Sequence, residues 1–400
     1  MLYRSLKITL ISLIIFFSCK TSKNLTQSTT QNVSDTVPSV DSLIQNIDFY
    51  ITQKGDTLYE LGKEFKIEVF PYDQDTFSFI AVGDIMTGTN FPSTQYLPPN
   101  NAFELWDEVK DTLRNADVTF GNLEGVILNE GGTRKYCKDT TICYLFRMPE
   151  ILASNFTDSG FDLLSTANNH AGDFGDEGRT NTMNALDSLG IEHAGLLQKP
   201  FAEIKKPGIR VGFAAFSPNT GTHSINDYEK AVELVSGLDS LNDVVIVSFH
   251  GGAEGSKYEH VNRKREIFYG ENRGNVYEFA HTMIDAGADL IFGHGPHVTR
   301  TLELYKDRLI SYSLGNFLTY GRFNLRGVNG IAPILKVYTD KEGKFLHGVI
   351  IPIKQIGRGE PVIDPDKRVI FKLQDLMKED FPETPLIISD EGLVRKTTDQ

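Results

Sequence analysis

Residues 244–254 read Val-Val-Ile-Val-Ser-Phe-His-Gly-Gly-Ala-Glu, an apolar run that ends in histidine, two glycines and a carboxylate. An apolar run of this length, rich in β-branched residues, predicts a strand buried on both faces. Similar runs lie at 77–82, 118–120, 161–164, 211–216, 290–292 and 309–313. Helix-period segments separate several of them, for example 102–114, 178–189 and 275–286. This alternation predicts an α/β fold with helices on both sides of a sheet.

The composition is that of a globular protein. The chain has 400 residues, of which 40% are hydrophobic and 23% charged, which excludes both a disordered chain and a multi-span membrane protein. The formal net charge of -13 argues against a nucleic-acid partner, because long-range repulsion opposes binding to phosphates. Three cysteines are too few for a disulfide-rich scaffold or a four-cysteine zinc site.

The N-terminus predicts export. Arg4 and Lys7 precede an apolar run at 8–17, which at about 10 residues is short of the roughly 20 that a spanning helix needs, so a permanent transmembrane anchor is the weaker alternative. The ending Phe-Phe-Ser-Cys resembles a bacterial lipoprotein signal, with Cys19 as the lipidated residue. We therefore expect a lipid-anchored protein of the cell envelope, attached to the membrane and facing the periplasm or the exterior.

The expected domain organisation follows from changes in composition along the chain. It comprises a signal peptide at 1–18, a flexible Ser/Thr/Asn/Gln-rich tether at 19–43, a small β segment at 44–76, the main domain at 77–355 and a C-terminal extension at 356–400. Cys137 and Cys143 lie six residues apart in a loop. In an oxidising compartment they could close a short disulfide, and the alternative is two free, partly buried thiols.

Polar residues that can bind metals follow the predicted strands. The carboxyl ends of strands in an α/β sheet converge on one rim, so we expect these side chains to meet. Four of the nine histidines fall in these short segments. The residues concerned are Asp84, Asn122, Glu124, Asn168, Asn169, His170, His250, Glu254, His294 and His297.

Carboxylate, amide and imidazole ligands on separate loops suit one or two divalent ions such as Mn, Fe or Zn. Two neighbouring ions could polarise a phosphoryl or carbonyl oxygen and present a bridging hydroxide. From the residues alone, the candidate ligands are Asp84, Glu124, Asn169, His250 and His297. His170, one residue beyond Asn169, is better placed to protonate a leaving group as general acid.

Each of these residues also has a purely structural interpretation. Asp84 could cap a turn, and residues 168 and 169 could be turn residues followed by a satisfied core histidine, His170. His250 could end a strand before a flexible turn. Glu254 could be a surface carboxylate or the partner of a metal-bound histidine. All these alternatives must hold together to remove the site.

Six segments, in this order, resemble the CapA family, which is named for poly-γ-glutamate capsule synthesis and looks like a branch of the calcineurin-like metallophosphoesterases. They are the segments at 83–86, 122–125, 167–170, 250–254, 293–297 and 312–317. The likeness covers about residues 77–320 and implies a four-layer α/β/β/α metallophosphatase-like core with a central pair of sheets. It also implies metal ligands at Asp84, Glu124, Asn169, His250, His294 and His297, supported by Asn122, Asn168, Glu254 and Asn316.

Three departures from the family pattern affect the expected site. Met86 stands where metallophosphoesterases usually have a histidine two residues after the first aspartate, so one ion is expected to be weakly held or absent. Gly251 replaces a tryptophan of many relatives and removes an aromatic wall. Gly295 stands directly before the Pro-His pair, where many relatives have a histidine, and His294 is the displaced counterpart.

The resemblance implies an extracytoplasmic lipoprotein that acts as a metal-dependent hydrolase or transferase in capsule, poly-γ-glutamate or envelope polymer biosynthesis. Its partners would be an anionic envelope polymer or phosphorylated substrate and a membrane-bound synthesis complex. Arg147 and Arg322 are candidates for gripping the anion, with surface salt bridging as the alternative. Two other functions remain open: a non-catalytic tether that binds polymer in the same cleft, and a nucleotide or sugar-phosphate phosphatase.

Overall fold

The computed structural model describes residues 76–137 and 143–397. The expected signal peptide, Cys19, the tether and nearly all of the small β segment at 44–76 lie outside the described residues. Among the residues that are described, no helix is both long enough and apolar enough to cross a membrane.

The strands are short and distributed along the whole described chain. They are β1 (Phe77–Met86), β2 (Val118–Leu123), β3 (Val126–Ile127), β4 (Arg147–Met148), β5 (Leu163–Ser165), β6 (Glu192–Ala194), β7 (Phe201–Lys206), β8 (Ile209–Phe216), β9 (Val244–His250), β10 (Ile267–Phe268), β11 (Glu271–Asn272), β12 (Leu290–His294), β13 (Leu302–Tyr305), β14 (Arg308–Ser311), β15 (Asn316–Thr319), β16 (Ile331–Thr339), β17 (Phe345–Ile356), β18 (Glu360–Ile363), β19 (Leu386–Ile388) and β20 (Leu393–Lys396).

The α-helices lie between the strands, as the alternation of sequence patterns predicts. They are α1 (Lys110–Leu113), α2 (Ser154–Asp158), α3 (Gly175–Ser188), α4 (Tyr228–Asp239), α5 (Val276–Asp285) and α6 (Arg368–Asp380). Short 3₁₀ helices cover Thr94–Tyr96, Pro99–Trp106, Glu150–Leu152, Ser256–Tyr258 and Gly327–Gly330.

Two sheets dominate the described part of the chain. The larger has ten strands in the order β19-β20-β17-β16-β1-β2-β5-β6, with β15 paired to β1 and β18 paired to β17. The smaller has six strands in the order β13-β14-β12-β9-β8-β7. Parallel pairing joins β1, β2, β5 and β6 in one sheet and β8, β9, β12 and β14 in the other. In both sheets the strands that precede the candidate ligands are therefore parallel neighbours.

The two sheets pack face to face. The ring of Phe120 in β2 lies 5.4 Å from that of Phe213 in β8 and 5.5 Å from that of Phe292 in β12. All three rings are fully buried, and burying one phenylalanine contributes about 2 kcal/mol. The same core also includes α6, which packs on β16 and β17 of the larger sheet through Leu373 and its neighbours.

Helices cover the outer face of each sheet. Outside the larger sheet, Trp106, Phe156 in α2 and Leu186 in α3 pack in one core with Ile80 of β1. Outside the smaller sheet, α4 and α5 form another core with β8, β9 and β12. The layers are therefore α/β/β/α, and the expected metallophosphatase-like sandwich is confirmed.

The structure differs from the sequence patterns in two places. The segment at 102–114 was predicted to be one helix, but it forms a 3₁₀ helix at Pro99–Trp106 and the short α1. Ala102, the first residue of the predicted helix, has a positive φ, and a turn at 107–109 separates the two helical pieces. Residues 360–396, inside the segment assigned to a C-terminal extension, contribute β18, β19 and β20 to the larger sheet.

Candidate functional site

The candidate ligands are placed at the carboxyl ends of the parallel strands. In the larger sheet Asp84 of β1 is in register with Asn122 of β2 and with Asn316 of β15. In the smaller sheet His250 of β9 is in register with His294 of β12. Three strands of the larger sheet and two of the smaller therefore bring these polar side chains together.

Gly83, directly before Asp84, allows β1 to lie close to the turn that precedes β15. A Cβ on Gly83 would lie 2.0 Å from the carbonyl oxygen of Gly315, which is closer than any contact between these atoms. The same approach lets the Asp84 N–H donate to the Gly315 oxygen at 2.8 Å. The Gly-Asp pair in the sequence is thus explained by packing as well as by chemistry.

Asp84 joins the two sheets. Its Oδ2 lies 2.8 Å from Nδ1 of His297, and its Oδ1 lies 3.2 Å from Nδ1 of His294. Asp84 and His294 are buried, and the His297 side chain is 15% exposed. Burial alone would raise the pKa of Asp84, but the hydrogen bond from His297 and the charges of His297 and His294 reverse this and hold that pKa well below its usual range.

Glu124 lies beside Asp84 and is also buried. Its Oε2 is 3.4 Å from Nε2 of His250, and its Oε1 is 3.9 Å from Nε2 of His170. Burial by itself would raise the pKa of Glu124, and the nearby His250 lowers it to below its ordinary value. The site therefore holds two carboxylates in their charged form, next to imidazoles.

Asn122 bridges the two carboxylates. Its Nδ2 donates to Oδ1 of Asp84 at 2.8 Å and to Oε2 of Glu124 at 2.7 Å. Its own Oδ1 accepts from Nδ2 of Asn168 at 3.1 Å, and Asn168 also donates to the backbone oxygen of Leu123 at 2.7 Å. A chain of buried amides thus separates two like charges and fixes their position.

His297 is held in an unusual backbone conformation. Its φ is 57°, in the left-handed region that residues with a side chain rarely adopt. The side-chain amides of Asn316 and Asn329 both donate to its carbonyl oxygen, at 3.2 and 3.1 Å. Strained backbone of this kind persists where surrounding contacts over-determine it, and it concentrates at functional sites.

His170 is oriented by a carboxylate that the sequence analysis did not identify. Its Nδ1 lies 2.7 Å from Oδ2 of Asp173, which also accepts from the backbone N–H of Phe146 at 2.7 Å. Lys135 donates to the other oxygen of Asp173 at 3.0 Å. With Nδ1 occupied as a donor, Nε2 is the nitrogen that faces Glu124 and the site. An aspartate three residues after the histidine is the signal that could have identified this pair.

Several polar atoms at the site are buried without a hydrogen-bond partner. They are Oε1 of Glu124, Oδ1 of Asn169, both ring nitrogens of His250 and of His294, and Oδ1 of Asn316. Buried polar atoms are normally hydrogen-bonded, so a group of orphans calls for an explanation such as an ion or water. Yet within 76–137 and 143–397, no three His, Cys, Asp or Glu side chains are grouped so that they could hold a metal ion.

The remaining predicted residues have other partners in the structure. Glu254 Oε1 accepts from Arg273 at 2.9 Å. Arg147 donates to Oδ1 of Asn90 at 2.7 Å and to the carbonyl oxygen of Gly131 at 2.9 Å, so its guanidinium is engaged inside the protein. Arg322 contacts two tyrosine rings instead.

The loop that follows Lys135 carries a disulfide and part of an aromatic wall. Cys137 and Cys143 are joined, with their Cα atoms 6.0 Å apart. Phe146 follows closely and its ring lies 4.2 Å from that of His170. Phe323 lies 5.1 Å from the ring of Phe146 and 5.2 Å from that of His297. Sequence reasoning missed this wall, since the two phenylalanines meet only through the tertiary fold.

Comparison with known proteins identifies the family. Residues 78–320 match the family described as Bacterial capsule synthesis protein PGA_cap. The chain belongs to the PGA_cap family. The match spans every predicted ligand, and it confirms the resemblance to CapA proteins seen in the sequence.

Individual PGA_cap relatives are moderately similar. The chain is 29% identical over 274 residues to the PGA biosynthesis protein CapA of Bacillus subtilis, covering 64% of this chain and 67% of that protein. It is 28% identical over 272 residues to the capsule biosynthesis protein CapA of Bacillus anthracis, covering 62% and 60%. The matches thus span about two thirds of each relative.

A solved structure with a detectable likeness is the 5'-nucleotidase precursor from Thermus thermophilus. The likeness covers 73% of this chain and 55% of that one, with 14% identity and a TM-score of 0.36. The four-layer assignment for this PGA_cap member accordingly depends on its own sheet order and layer packing.

Proposed function

We propose that this PGA_cap protein is a metal-dependent hydrolase or transferase that acts on an anionic polymer of the cell envelope. The observation that carries the proposal is the collection of unpartnered, buried ligand atoms around Asp84 and Glu124. Histidine nitrogens and amide and carboxylate oxygens are the ligands that Mn, Fe and Zn ions take in proteins. Unpartnered atoms of those types in one place fit a bound cation better than they fit a purely structural network.

The ion or ions would be held by Asp84, Glu124, Asn169, His250, His294 and His297. Such an ion would polarise a phosphoryl or carbonyl oxygen of the substrate and lower the pKa of water. Asp84 and Glu124 are both buried, and their negative charge would offset the charge of the cation. Asn122 would keep both carboxylates in position whether or not an ion is present.

His170 is proposed as the general acid. Its Nδ1–H would donate to Asp173, whose negative charge favours the doubly protonated imidazolium, and Nε2 of that form faces the site and carries the proton that a leaving group needs. Phe146 and Phe323 pack beside the rings of His170 and His297 and limit access of water on that side. Water exclusion strengthens the electrostatic interactions inside a site.

The polymer and the location are proposed from two separate sources. The Bacillus subtilis relative is named for PGA biosynthesis, which makes poly-γ-glutamate or a related anionic polymer the leading candidate substrate. The predicted lipoprotein signal at 1–19 would attach the protein to the membrane, in the periplasm or at the exterior. A membrane-bound synthesis complex is the partner that such a position would favour.

The test is turnover by the full-length chain in detergent, supplied with Mn, Fe or Zn. Release of γ-glutamate fragments and hydrolysis of a simple phosphodiester would be measured for the wild type, His297→Ala and His260→Ala. His260 is half exposed and bonded to Asp380, so His260→Ala is a matched control for losing one imidazole. Turnover that needs metal, is abolished by His297→Ala and survives His260→Ala supports the proposal. Absence of metal-dependent turnover of either substrate would overturn it.

A second candidate function is that of a non-catalytic tether that binds polymer, and two observations favour it. In the described residues no three acidic, histidine or cysteine side chains are grouped to hold a metal as they stand. Met86 adds to this, since it is buried at the position where related enzymes carry a histidine ligand. Binding of polymer by the wild type without any turnover, and with no effect of metal, would favour the tether.

A further inference from the structure

Arg322 lies in an aromatic setting next to the site. Its guanidinium carbon is 4.5 Å from the centre of the Tyr96 ring and 4.8 Å from that of Tyr144. Contacts between a guanidinium and aromatic faces are favourable and hold the plane of the group in place. The two rings therefore position Arg322 through its planar face. They leave the N–H donors at the edge of the guanidinium without an acceptor.

The donors of Arg322 are unused. Its Nε is buried and has no hydrogen-bond partner. Over the described ranges, the side chain makes no hydrogen bond or ion pair at all. Arg147 and Arg358 offer the contrast, since both donate to protein oxygens, Arg358 to the carbonyl of Gln95 at 2.8 Å. A guanidinium fork that has no acceptor among the described residues is free to bind one from outside.

The position relative to the site follows from the next residue. Phe323 packs on His297, one of the candidate ligands, and on Phe146, which packs on His170. Tyr144 is 44% exposed, so solvent reaches the Tyr144 side of this group. Arg322 therefore directly precedes a residue whose ring lines the candidate site, and one of its two tyrosine partners faces solvent.

We propose that Arg322, held by Tyr96 and Tyr144, binds an oxyanion of the substrate. This oxyanion belongs to the repeat unit next to the one that lies at the candidate metal site. This inference rests on the proposed function, in that it assigns a substrate subsite to the same cleft. The oxyanion is a carboxylate or a phosphate, both of which match the fork of an arginine. A polymer with one anionic group in each repeat would satisfy Arg322 and the candidate metal site together.

The experiment measures equilibrium binding to the full-length chain in detergent and EDTA, so that its result does not depend on turnover or on metal. The probes are a γ-linked glutamate oligomer, a glycerol phosphate oligomer and an amidated, neutral form of the glutamate oligomer. The variants are Arg322→Gln, Arg322→Lys and Arg326→Gln. Arg326 is exposed and lies four residues further along the same loop, so Arg326→Gln removes the same charge without touching the subsite. Thermal unfolding of each variant checks that it is folded.

Arg322→Gln should weaken binding of at least one anionic oligomer by about tenfold or more, as expected for the loss of a charged hydrogen bond. Arg322→Lys should recover only part of the affinity, because lysine lacks the fork. Arg326→Gln should change affinity by less than about twofold, and the neutral oligomer should not distinguish the variants. The oligomer affected identifies the carboxylate or the phosphate as the ligand. Equal losses in Arg322→Gln and Arg326→Gln, or no binding of either anionic oligomer by the wild type, would overturn the inference.

The binding and turnover experiments distinguish failure of the subsite from failure of the hydrolase proposal. If the wild type shows no metal-dependent turnover but Arg322→Gln still loses affinity, the subsite stands and the hydrolase proposal falls. If turnover needs metal and His297 but binding is insensitive to Arg322, the hydrolase proposal stands and the subsite falls.

Discussion

Nδ1 of His297 lies 2.8 Å from Oδ2 of Asp84, although 213 residues separate the two along the chain. Asp84 lies near the end of β1 in the larger sheet, and His297 follows β12 of the smaller sheet. The contact therefore exists only when both sheets are formed and packed on each other. Any function of this site depends on the whole four-layer core, so variants must be checked for folding before their activity is interpreted.

Asn122→Asp should destabilise the protein. It replaces the amide that donates to Asp84 and Glu124 with a third buried carboxylate, which cannot donate a hydrogen bond when it is ionised. In EDTA, the free energy of unfolding should fall by about 3 kcal/mol, the usual cost of an uncompensated buried charge. Urea denaturation measures this, with Asn226→Asp at an exposed position as control. Equal unfolding curves for the two variants would show that the bridge does not hold the carboxylates.

Asp173→Asn should impair turnover more than substrate binding. It removes the negative charge that accepts from Nδ1–H and stabilises the imidazolium of His170, so the form that carries a proton on Nε2 is less favoured. If His170 is the general acid, kcat should fall by about a hundredfold with little change in KM. Asp176→Asn, which removes the exposed partner of Arg179 on α3, is the control. A parallel loss in both variants would argue against a role for the pair in catalysis.

Gly83→Ala should prevent normal packing of the strand ends. The added Cβ would meet the Gly315 oxygen at 2.0 Å, and neither backbone can move without separating β1 from the turn before β15. We expect a loss of about 3 kcal/mol or more, or an insoluble protein. Gly237→Ala in α4 is the matched control, because nothing lies within 4 Å of its Cβ position. That control should gain about 0.5–1 kcal/mol, as alanine favours a helix.

His193 should make stability depend on pH below neutrality. It is fully buried in β6, and burial together with the charge of Lys199 lowers its pKa from 6.5 to about 4. Between these pH values the unfolded chain binds a proton that the folded chain does not, so stability falls as pH falls. The loss attributable to His193 between pH 7.5 and pH 5 should be about 2 kcal/mol.

The measurement for His193 is urea denaturation of wild type and His193→Gln at pH 7.5, 6 and 5. The variant should lose this part of the pH dependence and be relatively more stable at pH 5 than at pH 7.5. The same slope in both proteins would show that His193 is not the titrating group.

Much of the architecture could be predicted from the sequence because local patterns determine it. The apolar runs at 77–82, 244–249 and 290–292 all became buried strands, and the polar residues after them lie at one rim, as parallel pairing requires. The prediction of one helix at 102–114 was wrong, because Ala102 adopts a positive φ and a turn at 107–109 divides the segment.

Contacts between distant residues could not be predicted in this way. Asn329 supports His297 through a loop approach that no local pattern encodes, and the same holds for the rings beside Arg322. Glu254 could equally have supported a histidine or another charge, and its bond to Arg273 depends on how residues 251–274 fold. Residue type limits the possible partners of the histidines at the strand ends, so sequence reasoning could place these histidines in the candidate site.

The metal content of the full-length chain, purified without chelator and measured by elemental mass spectrometry, decides whether the site binds an ion. We expect one or two equivalents of Mn, Fe or Zn in the wild type and in His260→Ala, and a loss of metal in Asp84→Ala and His250→Ala. A wild type that takes up no divalent ion even when these are supplied, or a metal content unchanged by either site substitution, would contradict this expectation.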